Sequence, residues 1–225
     1  MRRSFACRVV YCLCAIPLLG LANLASAGLV TTDPSLPPPT GVYATSTGGQ
    51  ITFSSVYLGS YNPIVLTDIN LVPSGISHTD ISPDEREQFT ATLSGMASAA
   101  GGSAFSFTGT GPAVMLVYGK YGHVLGTFDT EMTQLDLSGT TPLGTALIRE
   151  SPTHASTGQT TIVDMGGGVY NINSFFDVFT ELSVDGGNSW IPSQGSTRLT
   201  LLPEPASLSL AGFAVLGLLA RRRRA

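Results

Sequence analysis

Ala104-Phe105-Ser106-Phe107-Thr108-Gly109-Thr110-Gly111-Pro112-Ala113-Val114-Met115-Leu116-Val117-Tyr118 is the stretch on which the fold turns. Phe105 and Phe107 alternate with small polar residues, and a short apolar run begins at Ala113. Gly109, Gly111 and Pro112 between them would interrupt a helix. The pattern predicts two β segments, 104–108 and 113–118, divided at the glycines. The same grammar extends in both directions. Downstream, a turn at 120–122 leads to extended segments over 124–128, 131–137, 146–150, 160–165 and 170–176. A last pair, 178–184 and 196–202, lies across Asp185-Gly186-Gly187-Asn188. Upstream, 51–58 reads as a first strand, and Ile64, Leu66 and Ile69 carry a second that ends at Pro73 and Gly75. Short extended segments at fairly regular intervals indicate an all-β fold, an antiparallel β-sandwich or partly closed barrel.

Only one place reads as helical. Ser82-Pro83-Asp84-Glu85 has the cap, first-turn proline and reach-back glutamate of a capping box. Beyond it, Phe89, Leu93 and Met96 recur at helical spacing, whereas Phe89, Ala91 and Leu93 alternate as in a strand. The expectation is a single helical turn leading into a strand.

The two ends of the chain differ from the middle. Arg2, Arg3 and Arg8 precede an apolar run over 9–24, and Ala25, Ser26 and Ala27 form a small-x-small site. This is the form of a signal peptide over residues 1–27, cut between Ala25-Ser26-Ala27 and Gly28 by the export machinery's signal peptidase. Cys7, Cys12 and Cys14 all lie inside it, so the mature chain would hold no disulfide or thiolate site. At the other end, Pro203-Glu204-Pro205 precedes the apolar segment 206–220, closed by Arg221, Arg222, Arg223 and Arg224. Guanidinium groups resist crossing hydrocarbon, so the four arginines act as a stop-transfer element that stays cytoplasmic. Fifteen helical residues span only about 22 Å against a hydrocarbon thickness of about 30 Å. That makes a short transmembrane helix and a weak anchor.

Between the ends, 28–48 is expected as an extended Pro-rich leader, from Pro34, Pro37, Pro38 and Pro39, and 49–202 as the β domain, with 203–225 as the anchor segment. Over 28–202 the basic residues are Arg86, Lys120, Arg149 and Arg198 against fourteen acidic ones, a net charge near −10, whereas the whole chain is formally −4. Such a surface repels phosphate backbones and excludes nucleic acid as a partner.

Candidate chemistry is sparse. His78, His123 and His154 stand in loop-like settings outside any HExxH, and no serine occupies a GxSxG elbow. Asp185, Asn188 and Glu181 offer oxygen donors for calcium beside Gly186-Gly187, although a hairpin loop favours the same residues and no EF-hand spacing is present. Asp129 and Glu131, two apart on a strand, point to one face as half of a glycosidase pair would, or as a solvated edge does. Phe175, Phe176 and Phe179 with Trp190 are either a sugar-stacking platform or core. A weak internal echo links Phe128-Asp129, Leu135, Leu137 and Gly139 with Phe176-Asp177, Leu182, Val184 and Gly186.

The triplet, the short apolar helix and the terminal arginine cluster, in that order, resemble the PEP-CTERM protein-sorting tail, over about a tenth of the chain. The resemblance implies recognition and removal by an exosortase-type membrane enzyme, with the body delivered to the cell surface or extracellular matrix. The segment 174–190 is similar to a stretch near the C-terminus of several secreted proteins with such tails and unknown activity. The expectation is an exported, non-enzymatic protein with a structural or adhesive role in surface matrix, a membrane-anchored precursor before processing, needing no cofactor. The alternative is a secreted carbohydrate-binding module or glycan-active enzyme, with extracellular polysaccharide as the partner.

Overall fold

The computed structural model describes residues 28–203, apart from 101 and 143. The signal-cleavage residues Ala25 and Ala27, the sorting residues Glu204 and Pro205, Arg221 to Arg224 and the expected membrane helix lie outside the described residues. Among those described, no helix is long and apolar enough to cross a membrane.

The strands are β1 Leu29–Thr31, β2 Tyr43–Thr45, β3 Gln50–Phe53, β4 Ile64–Ile81, β5 Asp84–Ala99, β6 Phe105–Val117 and β7 Gly126–Thr141. They continue as β8 Gly144–Glu150, β9 Ser156–Gly166, β10 Val169–Val178, β11 Thr180–Ser183, β12 Ile191–Pro192 and β13 Thr197–Leu201. Several of these join end to end, so the pairing reduces to eight antiparallel lines. β2 and β3 form the first line. β4, β5, β6 and β7 each form one. β8 with β9, β10 with β11, and β12 with β13 form the last three. Each line pairs with the next in sequence, and β13 returns to β2, with Leu199↔Thr45, Thr200↔Ala44 and Leu201↔Tyr43 opposite one another. The bridge Phe53↔Ser193 continues this seam below. The all-β expectation therefore holds as a closed up-and-down barrel of eight antiparallel lines, which leaves few exposed strand edges.

Alternation sets inside from outside. Along β5, Glu85, Glu87, Phe89, Ala91 and Leu93 are buried while Gln88, Thr90 and Thr92 are not. Phe53, Ile69, Leu93, Met115, Leu137 and Ile172, none more than 2 % exposed, belong to one continuous apolar core. Each such side chain contributes about 1.5–3 kcal/mol of burial.

Four local expectations are corrected. First, 104–108 and 113–118 belong to one strand, β6. Gly111 does not break it; a Cβ there would lie 1.8 Å from the carbonyl oxygen of Asp136, and one at Gly139 2.2 Å from that of Thr108. The glycines let β6 and β7 approach closely. Second, β4 passes through Pro73 and Gly75 to Ile81. Beyond Leu71 its only paired neighbour is β5, and an edge tolerates proline, while Gly75 (φ +61°) sits in the bulge between Ser74 and Ser77. Third, Ser82-Pro83 is a hairpin turn with a cis peptide, not a helix start, since Ile81 pairs directly with Asp84. Fourth, the first strand stops at Phe53, and Val56–Tyr61 forms a 3-10 turn in which the Tyr57 amide donates to the capping Ser55 hydroxyl (3.3 Å).

The expected leader is likewise part of the fold. β1 pairs with β10 beyond the end of β13, β2 completes the barrel, and Leu36 is 1 % exposed. β1 occupies the continuation of β13's own line along β10, because Leu201 lies beside the level of Ser174 and Leu29 pairs with Ile172. Chain entering at Gly28 and chain leaving after Leu202, whose amide bonds to Val42 O (2.8 Å), thus meet on one wall.

The close approach of β6 and β7 is open to direct test. Gly111→Ala is expected to lower stability by about 2–3 kcal/mol, because backbone rather than a flexible side chain must move. Gly195→Ala, with nothing within 4 Å of the added methyl, should stay within about 0.5 kcal/mol. Urea unfolding of the two variants beside the parent measures both.

Candidate functional site: the barrel mouth

At one end the barrel carries the Ser82-Pro83 turn, the β6–β7 loop, the Gly166-Gly167-Gly168 turn and the proline-rich segment between β1 and β2. The proline-rich segment, the β6–β7 loop and the adjoining ends of β4 and β5 line a cleft of about 250 Å³ there. Its floor comes from β5. The interior face that bears Phe89, Ala91 and Leu93 continues to the mouth as Glu87 and then Glu85, 2 % and 9 % exposed. Across the floor, Lys120, only 8 % exposed, donates from Nζ to Glu85 Oε2 at 2.7 Å. His78 on β4 stands opposite Glu87 in the ladder, and Asp80 opposite Glu85. Pro34, Leu36, Pro39, Ile76 and Val124 supply apolar wall, with Asp33 at the rim.

The electrostatics are uneven. Burial, reinforced by the negative charge of Glu85, pushes the Glu87 carboxyl up to about 8; Lys120 opposes this and Asp80 adds to it. Glu85 has an ammonium partner, whereas Glu87 has no hydrogen-bond partner among the described residues. Asp33 is held below the usual carboxylate range by hydrogen bonds from Ser35, one from its amide at 2.9 Å. Deeper in the barrel a neutral polar chain follows: Tyr43 donates to Ser174 Oγ at 3.2 Å, and Ser174 shares a 2.7 Å bond with Thr160. Burial raises the Tyr43 phenol well above its ordinary value.

Of the sequence candidates, His78 alone lines the cleft. His123 lies in the β6–β7 loop, its amide bonded to Lys120 O, and His154 stacks on Phe179 with ring centroids 5.1 Å apart. Asp185 accepts from Ser183 Oγ (2.8 Å) and the Ser189 amide (2.9 Å), and Asn188 donates to Asp185 O, which is the bonding of a hairpin loop. Glu181 is separately engaged by Arg149, at 2.9 and 2.7 Å. Among the described residues no three His, Cys, Asp or Glu side chains converge where a metal ion could sit.

Asp129 and Glu131 are placed on β7 away from the core, Asp129 bonded by Gln159 Nε2 (3.1 Å) and Glu131 by the Tyr118 hydroxyl, whose pKa that bond pushes up to about 12. The four aromatic rings do not share a platform. Phe176 is core against Tyr43, Phe175 lies under Arg198 (4.1 Å), and Trp190 under Arg149 (4.0 Å). Sequence reasoning does not single out Glu85 and Glu87 as site residues, because the capping-box pattern accounts for Glu85. The signal was there: Glu85 and Glu87 extend the i, i+2 series of Phe89, Ala91 and Leu93.

Glu87 carries a pH dependence whose sign is fixed. The folded protein keeps its proton up to about 8, while an unfolded glutamate releases it near 4.5, so between those values the folded state binds more protons. Stability is therefore greatest below the lower value and declines as pH rises through the window. Thermal melts should show a loss on the order of 2 kcal/mol or more from about pH 5 to about pH 8, and Glu87→Gln should abolish the greater part of that slope.

Residues 202–224 match the PEP-CTERM protein-sorting motif. No curated protein and no solved structure matches the chain. The match begins at the residue after β13 ends, so the barrel is followed at once by a segment that matches this sorting motif.

Proposed function

We propose that this chain is the precursor of a displayed surface protein, exported through its N-terminal signal and then placed at the cell surface or in extracellular matrix, where the barrel serves a structural or adhesive role without turnover. The sorting motif is the observation that carries this reading: it supports an exported protein, anchored first in the membrane and recognised by exosortase-type machinery. The placement of the motif adds a physical reason. β1 fills the line beyond Leu201, so the chain after Leu202 turns out from the barrel wall and presents Pro203, which is exposed. The first residue of the triplet is thus accessible while the barrel is folded. Signal peptidase would cut after Ala27. The resulting Gly28 suits its site, because a Cβ there would lie 2.5 Å from Asn171 Oδ1 and 2.6 Å from Ile172 O.

Replacing Pro203, Glu204 and Pro205 together by alanine in the full chain tests the address. The parent is expected to yield a mature mass lacking residues 1–27 and Arg221 to Arg224, in the surface or released fraction. The triple variant is expected to keep the arginines and remain with the membrane. Intact precursor free in the cytosol, in either strain, would falsify the proposal.

A further inference from the structure

Every buried charge at the mouth except one has a partner. Lys120 and Glu85 hold each other at 2.7 Å, whereas the Glu87 carboxyl, on a residue 2 % exposed, faces the cleft with no hydrogen bond from the described residues. A carboxyl that lines a concave site without a protein partner marks a place where something else supplies the bond. The surroundings fix the sign of that group. Asp33, held ionised by Ser35, together with Glu85 and Asp80, outweighs Lys120 and the exposed His78 across the ladder. The field that opposes a negative charge on Glu87 also draws a cation into the cleft.

The walls fix its type. No three donors converge for a metal ion among the described residues, while Leu36, Ile76 and Pro39 offer hydrocarbon along the approach to Glu87. The mouth of a barrel is a common place for small ligands, and about 250 Å³ admits a chain of a few methylenes with a charged head. We propose that the barrel mouth binds an alkylammonium group, a primary amine on a short hydrocarbon stem, with Glu87 as the carboxylate that receives it. The binding rests on the geometry of the cleft and is independent of how the chain is sorted. Two sources carry this chemistry, a free diamine and the side chain of a lysine in another protein.

Calorimetric titration of the full chain, kept in a nonionic detergent, with 1,4-diaminobutane and with Nα-acetyl-lysine N-methylamide tests the proposal. Saturable binding of either probe upholds it, and the tighter of the two identifies the source. Because the ammonium requires ionised Glu87, apparent affinity should rise by about tenfold per pH unit on the acid side of the Glu87 pKa and level off above it. Glu87→Gln should weaken binding at least about tenfold and remove the rise, while Glu87→Asp should weaken binding but keep it. Three results would overturn the proposal: no saturable heat with either probe, Glu87→Gln binding as the parent does, or affinity that falls as pH rises. The last is the pattern of a neutral acceptor taking the Glu87 proton. Should Glu87→Gln fail to fold, the pH profile of the parent alone decides.

Discussion

Closure of the seam between the first and last barrel lines is the constraint on which the rest of the structure depends. β13 meets β2 through only three residue pairs, Leu199↔Thr45, Thr200↔Ala44 and Leu201↔Tyr43. Below them, Thr197 Oγ1 donates to Gln50 O at 2.9 Å and the Gln194 amide to Thr52 O at 2.9 Å. Every other line pairs with its sequence neighbour, so local hairpins can form independently. This seam joins residues about 150 apart, and its loop-closure entropy is recovered only when the core beneath it is complete. Without it, β2 and β13 would be two open edges above an unfilled interior.

Four of the eight lines are interrupted, and the interruptions lie side by side: between β8 and β9, at Phe179, between β12 and β13, and between β2 and β3. Hydrogen bonds stitch across this belt, from the Ser151 amide to Phe179 O and from the Ser193 amide to Thr180 O. β4 to β7 cross the same level as long strands with bulges only. One wall is thus continuous and the other segmented. The internal echo in the sequence follows from this, without any need for duplication. β7 and the line of β10 and β11 flank the same partners, so Leu137 and Leu182 both lie opposite Ile148, and Phe128 and Phe176 both lie beside β9.

Much of this was legible in the sequence. Alternation and turn residues point to most of the extended segments and to an all-β antiparallel sandwich or partly closed barrel, without the order of the strands. What alternation cannot encode is why a glycine is present. Gly109, Gly111 and Gly139 read as breaks, yet two of them mark backbone that a neighbour approaches to within a Cβ's reach, a relation between residues about 25 apart. Proline misled in the same way at Pro73, where edge position decides the outcome, and over 34–39, where an extended run became the wall of the mouth. The mouth itself was hidden because two glutamates on a core face look like a solvated helix start until the strand's direction is known. The sorting tail was the most legible part, being a local motif that needs no fold to be read.

Barrel closure and the tail bear on one another through chain order. The seam needs β13, and β13 is the last element before the sorting segment. During export the barrel therefore cannot close until residues up to Leu201 have emerged. β4 to β7 each pair with the next strand in sequence, so these hairpins do not have to wait for β13. The nearness of the two ends on the β10 wall means that closure also sets β1 in place, forcing the chain beyond Leu202 outward. Folding thereby presents Pro203, and a body that failed to close would leave residues 197–201 without their partners on β10 and β2. On this logic the sorting enzyme meets its site in a defined setting only after the barrel is complete.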